Sequence, residues 1–114
     1  MYCCDTLKRM IENAGQRGCS IVVNEWNGII RFWLQLRSIT HQQSKELCQE
    51  LKEKSIGSAI ENITNATAHC IEYCPYCGTR LHKLIKKYPK EYRILLASHK
   101  AYISEIGQIK DVLP

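Results

Sequence analysis

The sequence has no apolar run of the roughly 18–20 residues that a membrane-spanning helix needs, so we expect no membrane association. It also lacks a basic segment followed by an apolar stretch after Met1, which is the pattern of a secretory signal peptide. There is no internal repeat, no low-complexity segment and no linker-like stretch, so we expect a single domain over residues 1–114. No phosphate-binding glycine loop is present either, which argues against a nucleotide site of that type.

The seven cysteines do not form the even set that is typical of a secreted disulfide framework. Together with the missing signal peptide, this count favours a reducing, cytoplasmic compartment in which thiols bind a metal. The formal net charge of +5 is mildly basic, and a solubilising surface explains it as well as nucleic-acid binding does.

The clearest chemical motif is the stretch Cys74-Pro75-Tyr76-Cys77-Gly78. Two thiols separated by two residues can both turn toward one tetrahedral metal ion. The proline stiffens the entry, and the glycine allows a sharp backbone turn in which amide groups face the thiolates. This stretch therefore predicts a zinc knuckle that supplies half of a four-ligand site.

The adjacent pair Cys3 and Cys4 is the best candidate for the other half of the site. It lies before or within the first turn of a predicted helix, whose positive end favours thiolate over thiol. We therefore expect one structural Zn²⁺ held by Cys3, Cys4, Cys74 and Cys77. The alternative is that one of the pair ligates with a histidine or a further cysteine. The other candidates are Cys19, Cys48, Cys70, His41, His69, His82 and His99.

Hydrophobic periodicity and turn residues predict an α+β fold in which helices pack around a small antiparallel sheet. A hairpin that turns at Asn27-Gly28 would provide two strands, and the segment before the knuckle would provide a third. The zinc site would stabilise this domain. The predicted elements are helix 5–16, strands 19–26 and 29–36, helix 40–54, strand 68–73, helix 80–87 and helix 90–106.

Alternation along the second hairpin strand predicts a core face and an outer face. The core face would carry Ile30, Phe32, Leu34 and Leu36, and the outer face Arg31, Trp33, Gln35 and Arg37. We expect Trp33 to be a half-covered surface aromatic residue or part of a contact site.

Three smaller features also have a predicted local structure. A capping box at Thr40–Gln43 would start the second helix, and Thr79 would cap the helix after the knuckle. Ser58–Glu61 could start a further short helical piece, although the run to Thr67 resembles a turn or loop. We expect the tail Ile109–Pro114 to be loose, and the sequence assigns no role to residues 38–67.

The sequence offers no catalytic constellation. A catalytic zinc usually keeps an open coordination position, and four thiolates leave none. The zinc deaminase pattern needs His-x-Glu ahead of Pro-Cys-x-x-Cys, whereas His69-Cys70-Ile71-Glu72 has the wrong spacing. We therefore expect a protein that is not an enzyme, with no catalytic residues and no cofactor besides zinc.

A compact zinc-stabilised domain without catalytic groups is best explained as a small protein-binding regulator, adaptor or inhibitor. Trp26, Trp33 and the C-terminal helix are the surfaces to test. The alternative is nucleic-acid binding through the basic residues after the knuckle, which a solvated helix face would explain equally well. Those residues are Arg80, Lys83, Lys86, Lys87, Lys90 and Arg93.

Cys3-Cys4 and the stretch Cys74–Leu81 resemble the two motifs of a group of small, uncharacterised bacterial and phage proteins. Such proteins open on a Cys-Cys pair and carry a Cys-Pro-aromatic-Cys-Gly knuckle followed by a basic residue and leucine. Pro89–Tyr92 and Ser98–Lys100 are also similar to their tails, and the middle of the chain has no counterpart. The resemblance implies a four-thiolate zinc site in a bacterial or phage accessory protein, and it implies no known activity.

Overall fold

The structure is a computed structural model that describes residues 1–53 and 66–112. Four helices and three strands lie within these residues. They are α1 (Asp5–Glu12), β1 (Gly18–Trp26), β2 (Ile29–Arg37), α2 (His41–Glu53), β3 (Ala66–Ile71), α3 (His82–Lys87) and α4 (Pro89–Val112).

The three strands form one antiparallel sheet in the order β1-β2-β3. The hairpin turns at Asn27 and Gly28, whose φ angles of 51° and 78° are those of the two-residue turn that suits twisted strands. Its register runs from the Trp26–Ile29 pair to the Gly18–Arg37 pair. β3 pairs with the other side of β2, from Phe32–Ile71 to Arg37–Ala66. The predicted α+β fold with a hairpin and a third strand is confirmed.

The capping box at the start of α2 is confirmed by two reciprocal hydrogen bonds. The Gln43 N–H donates to Thr40 Oγ1 at 3.1 Å, and the Thr40 N–H donates to Gln43 Oε1 at 2.9 Å. The possible helical piece at Ser58–Glu61 lies outside the described residues.

Several element ends differ from the predictions. α1 ends at Glu12 rather than near Gln16, and Gly15 follows it with a φ of +82°. β3 ends at Ile71 rather than Tyr73, because the chain leaves the sheet there to form the knuckle. α4 runs to Val112, so the prediction of a loose tail is wrong for residues 109–112. A single glycine costs a helix only about 1 kcal/mol, and Gly107 therefore does not end α4.

The core lies on the sheet face that carries Ile21, Val23 and Phe32. The Phe32 ring meets the fully buried Tyr92 ring edge-on, with centroids 5.4 Å apart. The remaining core residues come from α1, from the knuckle, from the residue before α3 and from α3 itself. They are Leu7, Ile11, Cys74, Leu81 and Leu84.

The opposite face of the sheet is also covered, which the sequence did not predict. Gln35 and Arg37 are buried, whereas Leu36, predicted to be core, is 48% exposed. Trp33 is half-buried. Ser20 lies opposite Gln35 in the register, and the polar side-chain atoms of both have no hydrogen-bond partner among the described residues. Alternation therefore located the two faces correctly but could not show that both are buried.

α4 closes the free edge of β1. The Val23 N–H, which points away from β2, donates to the buried His99 Nδ1 at 3.0 Å. An uncovered strand edge is a site for unwanted pairing, and this contact removes one of its unpaired donors.

Within the described ranges, the helices include none that is both long and apolar enough to cross a membrane.

Candidate metal centre

The four predicted ligands lie together at the start of α1 and in the knuckle. The Sγ atoms of Cys3, Cys4, Cys74 and Cys77 are all within 4.8 Å of one another. Cys4 and Cys74 are 3.8 Å apart between sulfurs, and Cys3 and Cys77 are 3.2 Å apart. A tetrahedral ion with Zn–S bonds of about 2.3 Å places its sulfurs about 3.8 Å apart. The cluster could therefore hold a metal ion with little rearrangement.

Cys4 reaches the cluster because it is the N-cap residue of α1. Its backbone is extended, with φ −161° and ψ 165°, and its Sγ accepts the Leu7 N–H at 3.4 Å. A side-chain acceptor at this position satisfies one of the free N–H groups of the first turn.

The knuckle is a tight turn held by its own backbone. The Cys74 N–H donates to the Thr79 carbonyl at 2.8 Å, and the Gly78 N–H donates to the Cys74 carbonyl at 2.9 Å. Gly78 has a φ of +79°, a conformation that glycine adopts without the steric cost other residues carry. The turn brings Cys74 and Cys77 to the same side, as the motif predicts.

The two knuckle thiols have different surroundings. Cys74 is 2% exposed and belongs to the hydrophobic core, whereas Cys77 lies at the surface. Burial raises the pKa of Cys74, although the N–H groups of Tyr76 and Cys77 hydrogen-bond to its sulfur and act in the opposite direction. The Thr79 hydroxyl, 3.3 Å from Cys77 Sγ, and the Thr79 N–H lower the pKa of Cys77 to about 6.

The surroundings of Cys3 oppose ionisation of all four thiols in the absence of a cation. Burial, followed by the nearby sulfurs of Cys77 and Cys74, raises the pKa of Cys3 far above its ordinary value. Like charges at this spacing oppose one another, so four thiols cannot all ionise together without a positive ion between them. A divalent metal supplies that charge, and coordination deprotonates a thiol outright.

Thr79 has a different role from the predicted one. α3 begins after Leu81, which has helical backbone angles and makes no side-chain cap. The prediction that Thr79 caps this helix is therefore wrong, because its hydroxyl lies beside Cys77 Sγ instead. The position of Thr79 two residues after the second cysteine was the available signal for this role.

The segment that carries Cys3 and Cys4 is anchored to the core on both sides. The Tyr92 hydroxyl, from α4, donates to the Met1 carbonyl at 2.7 Å, and Leu7 of α1 is fully buried. Nothing in the sequence linked Tyr92 to Met1, because the contact joins residues 91 positions apart.

The other candidate ligands do not join the cluster wherever their side chains are described. Cys19 and Cys70 are exposed on β1 and β3. His99 accepts the Val23 N–H, and the His41 ring packs edge-on against Tyr102 at 5.0 Å. The only cluster of potential metal ligands found among the described residues is the four-cysteine group.

Comparison with protein-family models, with curated proteins and with solved structures found no match. The resemblance to small bacterial and phage proteins therefore stays a prediction. The chain is therefore described as an α+β protein with a four-cysteine cluster that could bind a metal.

Proposed function

We propose that Cys3, Cys4, Cys74 and Cys77 hold one structural Zn²⁺ ion. The observation that carries this proposal is the mutual spacing of the four sulfur atoms, all within 4.8 Å of one another. A tetrahedral set of four thiolates is typical of zinc or iron–sulfur chemistry. The two segments that meet here, the start of α1 and the knuckle, would be fixed to each other by the ion.

Metal content and colour distinguish the two metals. Native mass spectrometry of the purified protein should find one zinc ion per chain, and the solution should lack the visible absorption of iron–thiolate centres. Cys3→Ser should lose the ion, and Cys19→Ser, which changes an exposed thiol outside the cluster, should retain it. A folded wild-type chain without metal, or zinc retained by Cys3→Ser at full occupancy, would reject this assignment.

A closed four-thiolate ion has no free position for water or substrate, so its role is structural rather than catalytic. We therefore propose a non-catalytic protein that binds another protein as a regulator, adaptor or inhibitor. A reducing compartment such as the cytoplasm would keep the thiols available to the metal. An exposed apolar pair at the hairpin tip supports protein binding, since Trp26 and Ile29 are cross-strand neighbours and are 57% and 45% exposed.

The hairpin tip offers a direct test of protein binding. We expect Trp26→Gln to reduce capture of a partner by the tagged protein, whereas Leu36→Gln, at the far end of β2, should leave it unchanged. Leu36 is a matched control because it is 48% exposed, close to the 57% of Trp26, and lies in the other strand of the same hairpin. Identical capture by wild type and Trp26→Gln would remove the tip from the proposal.

Nucleic-acid binding is a second candidate, and one observation favours it. The six basic residues from Arg80 to Arg93 are all exposed, and no described acidic side chain forms an ion pair with any of them. Exposed cations without an ion-pair partner are available to phosphate groups. Binding to an oligonucleotide that falls steeply as salt rises would support this candidate, and no retention at low salt would reject it.

A further inference from the structure

A cleft opens where β3 leaves β2. The β2–β3 ladder ends at the Phe32–Ile71 pair, but β2 continues for three more residues, back to Ile29. After Ile71 the chain pairs instead with the segment that follows the knuckle, since the Leu81 N–H donates to the Glu72 carbonyl at 2.9 Å and Tyr73 bridges to Arg80. The space left beside β2 and below α3 is a cleft of about 210 Å³.

The backbone of Ile30 faces this cleft without a partner. Since a two-residue turn closes the hairpin at the Trp26–Ile29 pair, alternate residues from Ile29 onward bond to β1. The intervening residues point their N–H and C=O groups toward β3. Phe32 has Ile71 opposite it, whereas Ile30 has no strand partner there among the described residues. One donor and one acceptor are thus free for an extended chain.

The cleft combines an aliphatic wall with two guanidinium groups. Ile71 and Ile85 supply part of the wall, and Arg31, Arg80 and His82 line the same space. Glu72 is the only acidic residue that lines it, so two permanent positive charges face one negative charge. Arg31 Nε is buried and has no hydrogen-bond partner among the described residues. A ligand carboxylate in the cleft would balance the excess positive charge of the two guanidinium groups.

We propose that this cleft binds an extended acidic peptide segment of a partner protein. The backbone groups of Ile30 would pair with the peptide backbone, Arg31 and Arg80 with its carboxylate, and the aliphatic wall with a neighbouring apolar side chain. This inference rests on the proposed protein-binding function and assigns that function a site and a partner chemistry. The cleft also continues into the exposed hairpin tip, because Ile29 belongs to both.

The wall favours a peptide over a nucleic acid. Single-stranded nucleic acids bind by stacking bases on accessible aromatic side chains. Among the described residues that line the cleft, the only phenyl, phenol or indole ring is that of Phe32, which is 1% exposed and already packed against Tyr92; the remaining ring is the imidazole of His82. The free donor and acceptor of Ile30 match a peptide group, which carries the same pair.

The test is a titration of ¹⁵N-labelled, zinc-loaded protein followed by NMR. The probe is the capped peptide acetyl-Leu-Glu-Val-Asp-Leu-amide, and its control is the uncharged analogue with Gln and Asn at the acidic positions. We expect saturable shifts of the Ile30, Arg31 and Ile71 amide signals. The uncharged analogue should bind at least about tenfold more weakly, because a charge-assisted hydrogen bond is lost.

Protein variants test the arginines separately. Arg80→Gln should weaken binding of the acidic peptide by about tenfold, whereas Arg17→Gln, an exposed arginine outside the cleft, should not change it. If Arg80→Gln does not fold, Arg31→Gln and the uncharged peptide provide the same comparison.

Three results would overturn the cleft proposal: no saturable shift, equal binding of the two peptides, or preferential binding of a single-stranded oligothymidylate at the same amides. Zinc content and melting temperature are measured on the same samples. A zinc-loaded, folded protein that ignores the acidic peptide rejects the cleft and leaves the metal centre intact. A metal-free protein that binds it rejects the metal centre alone.

Discussion

Replacing Cys74 by serine removes one of the four proposed zinc ligands without adding bulk, and the effect on stability can be calculated from the structure. The ion would join Cys4 to Cys74 across 70 residues of chain. Treated as a cross-link, closure of a loop of this length stabilises the fold by about 4 kcal/mol. That is a large share of the roughly 5–15 kcal/mol by which a domain is stable. For a chain of 114 residues the loss corresponds to a melting temperature lower by roughly 15 °C.

The assay is thermal unfolding followed by circular dichroism, with Cys70→Ser as the matched control. Cys70 is an exposed thiol that does not join the cluster, so its replacement should leave the melting temperature nearly unchanged. A chelator should lower the melting temperature of the wild type and of Cys70→Ser, but it should have no further effect on Cys74→Ser. If Cys74→Ser melts with the control, or if the chelator affects all three proteins equally, the cross-link reasoning is wrong.

Two further predictions concern the contacts that hold α4 in place. Burial lowers the pKa of His99 to about 4 from its ordinary 6.5. As the pH falls, His99 is therefore protonated in the unfolded chain before it is protonated in the folded one. The free energy of unfolding should decrease as the pH falls from 6.5 to about 4. The decrease in the free energy of unfolding, measured in urea, should reach about 3 kcal/mol and should be absent from His99→Gln. An equal decrease in the variant would show that other groups cause it. Tyr92→Phe keeps the buried ring but removes the hydrogen bond to the Met1 carbonyl. It should lower the free energy of unfolding by about 1 kcal/mol in the same assay, and an unchanged midpoint would show that the bond contributes nothing.

The hairpin and the cysteine cluster could be predicted because their signals are local. Asn27-Gly28 specifies a two-residue turn, and that turn fixes the register of β1 against the strictly alternating β2. The knuckle spacing fixes two ligands, and the terminal pair Cys3-Cys4 was the best remaining source of thiols. Each of these inferences needed only the order of neighbouring residues.

The errors arose where distant parts of the chain decide the outcome. Alternation assigned Leu36 to the core and Gln35 to the surface, but burial depends on what covers each sheet face. Thr79 was predicted to cap a helix because a threonine hydroxyl often does so. The same hydroxyl can instead hydrogen-bond to a nearby thiol, and the sequence does not distinguish the two roles. The end of α4 was placed near Ile106 because glycine is a weak stop signal that tertiary contacts override.

The cleft illustrates a feature that no sequence pattern reveals. It exists because β3 is shorter than β2 and because the knuckle draws the chain away after Ile71. Arg31 and Arg80 are 49 positions apart and belong to different elements, so only the fold brings them together. The sequence placed Arg80 among the basic residues of the alternative function, nucleic-acid binding, and gave no indication that it lines a cleft with Arg31.

X-ray absorption at the zinc edge measures the four-thiolate centre most directly. The purified wild-type protein should give a first shell of four sulfur atoms at about 2.3 Å, with no nitrogen or oxygen neighbour. A spectrum that requires a histidine nitrogen or a water oxygen would contradict the assignment of Cys3, Cys4, Cys74 and Cys77 as the complete ligand set. The absence of zinc from the folded protein would contradict it as well.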